Sequence, residues 1–244
     1  MKILVTGGAG FVGSSVAERL LGRGDEVVVM DNLHPYYSPA RKRANIDSLK
    51  ENQRFTFFER DFSVADHVSE VFAEGPFSCV VHLGAMANVR YSVKHPALFT
   101  QANVVGTSNL LEACRETETS QFVFASTSSV YGQREEVPFR EADTSDFPLA
   151  PYPATKKAGE LLGHAYHNMY GLNFTALRFF NVYGPRGRPD MMPYIVTERI
   201  LSGETVSLFD GGEMYRDWTF VDDVVTGVIA AVDTPLGYEV MNIG

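Results

Sequence analysis

Tyr152 and Lys156 stand four residues apart in Tyr152-Pro153-Ala154-Thr155-Lys156. On a helix that spacing puts both side chains on one face. Proline suits a first helical turn, so Tyr152 is expected at a helix start. An unperturbed phenol, with a pKa of ~10, is a poor base near neutrality. A neighbouring ammonium stabilises the phenolate and lowers that value, giving a general base that can take a proton from an alcohol. Upstream, Ser126-Thr127-Ser128-Ser129 is a row of hydroxyls in which Thr127 can hold the reacting oxygen and share its proton. The letters Y-x-x-x-K also describe ordinary surface pairs, so their meaning depends on what else the chain carries.

What it carries is a glycine turn at the amino end. Residues 2–13 read as a short apolar strand, a turn and the start of a helix whose apolar residues include Val16, Leu20 and Leu21. Gly7, Gly10 and Gly13 are spaced three apart, and Gly8, Gly10 and Gly13 also satisfy G-x-G-x-x-G. Such glycines permit a tight turn, close approach of backbone to a pyrophosphate and close helix–strand packing. The helix amino end adds free N–H groups and a partial positive charge. A glycine-rich turn without a ligand has the same letters; position separates the two, because Asp31 follows the next apolar run, Glu26–Met30. An acid about 20 residues past the turn accepts hydrogen bonds from a ribose diol and repels a 2′-phosphate, favouring NAD over NADP. Asp61, ending the strand-like run at 55–59, can hold an adenine amino group. With a positive nicotinamide ring nearby, Tyr152 takes the proton of a sugar or alcohol hydroxyl as hydride leaves.

These groups need a scaffold. Strand-like runs at 79–83 and 121–125 alternate with helical segments at 64–73 and 96–117. That pattern predicts an α/β fold with a doubly wound parallel sheet. Gly84-Ala85-Met86-Ala87 then falls at a carboxyl strand end, where ligands sit in open sheets. Residues 32–52 are expected to loop over the cofactor, with Arg41-Lys42-Arg43 a solvated surface. Beyond residue 180 the chain is expected to alternate between the sheet and a smaller lobe, with helices at 194–202 and 221–232 and strands at 206–209 and 240–243.

The 244 residues, 45% of them hydrophobic, can bury a sizeable core. A net charge of -9 argues against a general nucleic-acid binder, which needs a basic face. The two cysteines lie in apolar segments and give neither a disulfide framework nor a metal spacing. No run reaches the ~20 apolar residues of a membrane span, and the expectation is a soluble cytoplasmic protein.

Together these residues resemble the extended short-chain dehydrogenase/reductase family of nucleotide-sugar epimerases and dehydratases. The motifs are T-G-G-A-G-F-V-G (6–13), Asp31-Asn32, Asp61, H-L-G-A (82–85), S-S-V-Y-G (128–132), Y-P-A-T-K (152–156), R-F-F-N-V-Y-G-P-R (178–186) and R-D-W-T-F-V-D-D (216–223). The likeness implies a Rossmann domain over residues 1–180 and substrate-lobe segments over 181–244, a lobe incomplete against the family. It gives catalysis to Tyr152, Lys156 and Thr127. NAD would be held by Gly7, Gly10, Phe11, Val12, Asp31, Asn32, Asp61 and Phe62, with Leu83, Gly84 and Ala85 beside Tyr152 and Lys156. Homodimers pairing through helices at 96–117 and 152–170 are common in such families.

The resemblance also bears on the reaction. Sugar dehydratases place an Asp-Glu pair after the catalytic threonine, and decarboxylating relatives keep a glutamate before V-Y-G. Ser128 and Ser129 stand there in this chain, which points to 4-epimerisation of a UDP-sugar. The segment Gly187-Arg188-Pro189-Asp190-Met191 looks like that of UDP-glucuronate 4-epimerases, with Arg188 pairing with the sugar carboxylate. Asn181 departs from the threonine usual there and is commoner in relatives acting on neutral sugars, so UDP-glucose/UDP-galactose epimerisation stays open. Thr127, Ser128, Arg90, Asn181, Arg188 and Arg216 are the implied substrate contacts. A dehydratase, a decarboxylase and a non-catalytic dinucleotide-binding protein are the other readings.

Overall fold

Apolar runs of strand length form the spine of the molecule, of which the computed structural model describes residues 1–134 and 136–244. Lys2–Thr6 (β1), Glu26–Met30 (β2), Phe55–Phe58 (β3), Cys79–His82 (β4), Gln121–Thr127 (β5) and Asn173–Phe179 (β6) pair in the order β3-β2-β1-β4-β5-β6. A later strand, Tyr238–Ile243, adds beside β6, and every pairing in this seven-stranded sheet is parallel. This is the doubly wound Rossmann arrangement, whose order reverses between β1 and β4.

A sheet covered on both faces needs strands apolar on both sides. Ile3, Val5, Val27, Val29, Val81 and Val123 pack on one face against Val16 and Leu20 of Phe11–Gly22 (α1). On the other face Leu4, Val28, Val80, Phe122 and Phe124 meet Val68 and Val71 of Ala65–Phe72 (α3) and Leu110 and Leu111 of Gly106–Glu116. The long helix Pro151–Tyr170 lies on this second face, close enough that a Cβ on Gly159 would come within 2.4 Å of the Phe124 ring. Glycine at that position lets the helix carrying Tyr152 and Lys156 sit directly on the sheet.

Register decides which strand ends reach the crevice. Thr6, His82 and Phe124 align across β1, β4 and β5, and β5 runs on to Thr127, three residues beyond that row. The predicted helix at 96–117 is present from Pro96 to Glu116 but is not α-helical throughout. Pro96–Thr100 gives way to a π turn, Gln101–Val105, before Gly106–Glu116, and Asn103 in that turn points inward. Pro39–Asp47 (α2) and Val89–Lys94 (α4) lie in the loops after β2 and β4.

Beyond β6, Asn181–Tyr183 (β7) pairs in parallel with Trp218–Phe220 (β8) as a separate two-stranded sheet. The strand expected at 206–209 is absent: residues 206–208 have no regular structure and Phe209–Gly212 is a 3-10 turn. The partner position beside β7 is taken by β8 instead, and Leu208 stays exposed. The expected helices are present as Met192–Leu201 (α8) and Val221–Asp233 (α9), the latter packed on α1. No helix among the described residues is long and apolar enough to cross a membrane.

Candidate active site

The glycine turn closes against the loop after β4. Gly7 has φ +67°, and a Cβ there would lie 2.5 Å from the Gly84 Cα, so the two loops meet backbone to backbone. Of the two glycine spacings legible in the sequence, Gly7, Gly10 and Gly13 line the cleft, whereas Gly8 packs on Val29 of β2. Helix α1 begins at Phe11 with Gly10 as its N-cap and no acid in its first turn, leaving its positive end toward the cleft. Beneath it, His82 is fully buried, with Nδ1 2.6 Å from Thr6 Oγ1 and Nε2 3.0 Å from Thr107 Oγ1. Thr107 donates its own proton to the Asn103 carbonyl, so Nε2 must carry the imidazole proton. Burial holds this ring well below the usual histidine range, neutral and structural.

Asp31 is buried at the far end of the cleft, accepting from Ala9 N–H at 3.2 Å and Leu33 N–H at 2.8 Å. Burial pushes its carboxyl up, and Lys42 opposes that. Lys42 itself is buried, donates to the His34 carbonyl at 3.0 Å and lies 4.8 Å from the Tyr37 ring centre. The expectation of a solvated basic triplet therefore fails at this position, because Lys42 shares the inner face of α2 with Ile46, four residues on. That apolar partner is the signal by which the sequence marks it. Nearby, Asn32 donates to Asp61 at 2.8 Å, and Asp61 also accepts from Ser63 N–H. Burial opposes ionisation of Asp61, but these hydrogen bonds prevail and hold its pKa low. Asp31, Asn32, Asp61, Phe62, Leu83, Gly84, Ala85, Phe11 and Val12 all line the cleft.

The chemical end is built on β5 and the helix Pro151–Tyr170 (α7). Thr127 and Ser128 reach the cleft from the end of β5, and Tyr152 stands in the first turn of α7. The Thr127 hydroxyl stands beside the Tyr152 phenol and favours its ionised form. In the chain alone burial pushes that phenol up, against the pull of Thr127 and of the Arg188 charge. Lys156 is not among the groups that pull the phenol down in the chain alone: burial drives that ammonium itself down to about 7, with only Glu160 opposing. Lys156 Nζ is buried without a hydrogen-bond partner among the described residues, 4.1 Å from the Phe124 ring centre.

Arg188 and Asn181 line the same cleft, from the segment after β7 and from β7 itself. Arg188 donates through Nε to Asp190 Oδ1 at 3.0 Å and through Nη2 to Oδ2 at 2.8 Å. Two expected substrate contacts fall elsewhere: Arg90 and Arg216 are exposed and do not line the cleft. Arg216 lies in an exposed stretch ahead of β8 and donates to the adjacent Tyr215 carbonyl at 2.6 Å. Sequence reasoning missed Tyr36, Tyr37 and Lys42, which also line the cleft.

The cleft suits a dinucleotide. Its glycine turn has no side chain over the α1 amino end, a buried carboxylate stands at one end, and an unpartnered buried ammonium at the other. A family model described as "NAD dependent epimerase/dehydratase family" matches residues 3–244. The chain is 45% identical to UDP-glucuronate 4-epimerase 3 of Arabidopsis thaliana over 237 residues, 96% of this chain and 55% of the relative. It thus spans about half the length of the plant relatives it matches. Among solved structures, UDP-glucuronic acid 4-epimerase from Bacillus cereus, in complex with UDP-glucuronic acid and NAD, superposes with a TM-score of 0.93 at 38% identity. That match covers 100% of this chain and 77% of the other. UDP-glucose 4-epimerase from Thermotoga maritima, with UDP-glucose, follows at 0.90 and 36%, with coverage of 100% and 77%.

Proposed function

The chain belongs to the NAD dependent epimerase/dehydratase family, and from that premise we propose that it is an NAD-dependent 4-epimerase interconverting UDP-glucuronate and UDP-galacturonate. Gly7, Gly10 and the α1 amino end would hold the pyrophosphate, Asp31 and Lys42 the adenosine ribose, and Asn32 with Asp61 the adenine side. Lys156, buried and unpartnered, is the group for the nicotinamide ribose hydroxyls. When bound, the nicotinamide supplies reversible hydride acceptance at the sugar carbon.

Tyr152 takes the proton of the sugar 4-hydroxyl and later returns it, with the Thr127 hydroxyl beside the phenol sharing the transfer. Buried, the free phenol is held protonated, so the charge that releases its proton must come from Arg188, from Lys156 and from the bound cofactor. Ser128 and Ser129 face the cleft with hydroxyls, which cannot act as the carboxylic acid that eliminating water requires. Epimerisation needs only that the 4-keto sugar present its other face before reduction. Residues 181–244 carry the substrate-facing lobe in this reading. A homodimer would pair through the outer side of α7, where Leu161, Met169 and Tyr170 are exposed.

The observation that carries the uronate assignment is the place of Arg188: its guanidinium lines the cleft near enough to act on the Tyr152 phenol. A guanidinium fork there can bind a sugar carboxylate in two hydrogen bonds. One observation favours UDP-glucose as the substrate instead, namely that Asp190 already occupies that fork. Incubating the purified chain with UDP-glucuronate and separately with UDP-glucose, and resolving the products by chromatography, separates the two. Turnover of the uronate, lost in Arg188→Ala and Tyr152→Phe, supports the assignment; turnover of UDP-glucose alone leaves the epimerase and removes the carboxylate role.

A further inference from the structure

Asp190 collects donors from three separate loops. Its Oδ2 accepts from the Tyr36 hydroxyl at 2.9 Å, from Asn88 Nδ2 at 2.9 Å and from Arg188 Nη2 at 2.8 Å. Tyr36 belongs to the loop after β2, Asn88 to the loop after β4, and Arg188 to the segment after β7. All three donors line the cleft that the dinucleotide reading fills. The carboxylate is about four-fifths buried, and its Arg188 and Asn88 partners hold it ionised against the cost of burial. Asn88 is fixed to serve it. It holds φ +151°, a backbone that side chains rarely adopt, while its Oδ1 accepts from Tyr91 N–H and caps α4. A second tie runs alongside, from Arg41 of α2 to the Tyr194 hydroxyl of α8 at 2.8 Å.

The wall so fastened stands over the glycine turn. Next in chain to Tyr36 is Tyr37, whose hydroxyl lies 3.9 Å from where a Cβ on Gly10 would be. A pyrophosphate at the α1 amino end would therefore lie under this two-tyrosine wall. We propose that Asp190 is a positioning residue for the cofactor: by joining the loops after β2, β4 and β7 across the cleft, it holds the Tyr36–Tyr37 wall over the bound dinucleotide and slows its release. The assignment rests on the dinucleotide reading of the cleft. An enzyme that must return a hydride before losing its reduced cofactor gains from such a closure.

The test uses the full chain loaded with NADH, with release followed by fluorescence on dilution into excess ADP-ribose. Asp190→Asn keeps the shape and removes the charge that draws three donors; it should release NADH about tenfold faster than wild type, the effect of losing a charge-assisted hydrogen bond. Tyr36→Phe removes one hydroxyl from the wall and should speed release by a smaller factor. Joined to Asp190→Asn it should add little, because both changes break one link. Thermal melting of each cofactor-free variant separates a general loss of folding from loss of the closure, and Tyr36→Phe, which deletes one hydroxyl and retains the ring, keeps the test open should Asp190→Asn fold poorly. Release at the wild-type rate from folded Asp190→Asn overturns the proposal, as do strictly additive effects of the two changes. A wild-type chain that retains no NADH overturns the dinucleotide reading beneath it, a different outcome from equal retention by wild type and variant.

Discussion

Glu160 lies one helical turn beyond Lys156 on α7, yet neither of its oxygens bonds the ammonium. Oε1 accepts from the Ser126 hydroxyl at 2.6 Å and from Arg178 Nε at 2.9 Å, while Oε2 accepts from Arg178 Nη2 at 2.8 Å. Lys157, on the solvent side, reaches Oε2 at 3.3 Å. The buried carboxylate is thus spent on tying α7 to β5 and β6, and Lys156 is left with its charge unshared. Two roles of one helix are kept apart: one turn fixes it to the sheet, the next offers a cation to the cleft.

An unshared buried ammonium costs stability, and pH reveals the cost. Burial lowers the Lys156 pKa to about 7 from its ordinary 10.5. Between those values the unfolded chain holds a proton that the folded chain has released, so this residue makes stability rise with pH across that window and contributes no slope below it. Lys156→Met should abolish turnover, weaken NAD binding, and raise the melting temperature of the cofactor-free chain at pH 7 by a few degrees. Melting curves of both proteins between pH 6 and 10 check this; curves that stay parallel throughout would remove the buried-charge account.

The Arg178–Glu160 pair is buried on both sides, and breaking such a pair is far costlier than lacking it. Glu160→Gln leaves the guanidinium against a neutral amide and should cost about 3–5 kcal/mol. Because glutamine keeps one acceptor oxygen where glutamate has two, Ser126 and Arg178 must compete for it; the neighbouring Thr127 should then also be less well placed, lowering kcat in whatever protein remains folded. Urea unfolding measures the first effect. A loss below about 1 kcal/mol, the size of an exposed pair, would contradict it.

For Tyr152 the expected result separates chemistry from binding. Tyr152→Phe keeps the ring and its edge-on contact with Phe99, 6.1 Å between centres, and deletes only the hydroxyl. Turnover should fall by about 10²–10⁴, with NAD retained at wild-type occupancy. If NAD occupancy falls in step with turnover, the hydroxyl serves to hold the cofactor and not to move the proton.

How much of this was legible beforehand follows from where the information sits. The order of strands and helices was readable because each strand is an unbroken apolar run, and a parallel sheet needs both of its faces covered. Gly7, Asp31, Tyr152 and Lys156 announce themselves through spacing within one segment. Asp190, Asn103 and Glu160 do not, since each acts on loops or strands distant in the chain, and a single sequence carries no mark of such pairing. Lys42 was hidden differently: flanked by Arg41 and Arg43, it has the composition of a surface, and only the helix phase of Ile46 turns it inward. The strand expected at 206–209 failed because strand composition makes a strand only where a partner edge pairs with it, and among the described residues none pairs with this run.

Asn103 offers the sharpest test of how these distant pieces are joined. From the π turn its amide accepts from Met86 N–H at 2.8 Å and donates to the Met86 carbonyl at 2.9 Å and to Thr155 Oγ1 at 3.0 Å. Thr155 in turn donates to the Tyr152 carbonyl at 2.8 Å. One buried side chain thereby ties the loop that follows β4 to the first turn of α7, and π turns recur at functional sites for such reasons. Asn103→Ala strands both polar groups of Met86, at about 1–3 kcal/mol for each one left unsatisfied. Asn103→Asp should be no better: it can still accept from Met86 N–H but offers no donor to the Met86 carbonyl and sets a charge against it. Both variants should therefore lose stability together and lower kcat, with the fall in kcat exceeding any change in substrate KM, because the displaced group is the phenol that moves the proton. Denaturant unfolding and steady-state kinetics on the two variants check this, and an Asn103→Asp protein as stable and as fast as wild type would show that the Met86 carbonyl and the α7 start are held by something else.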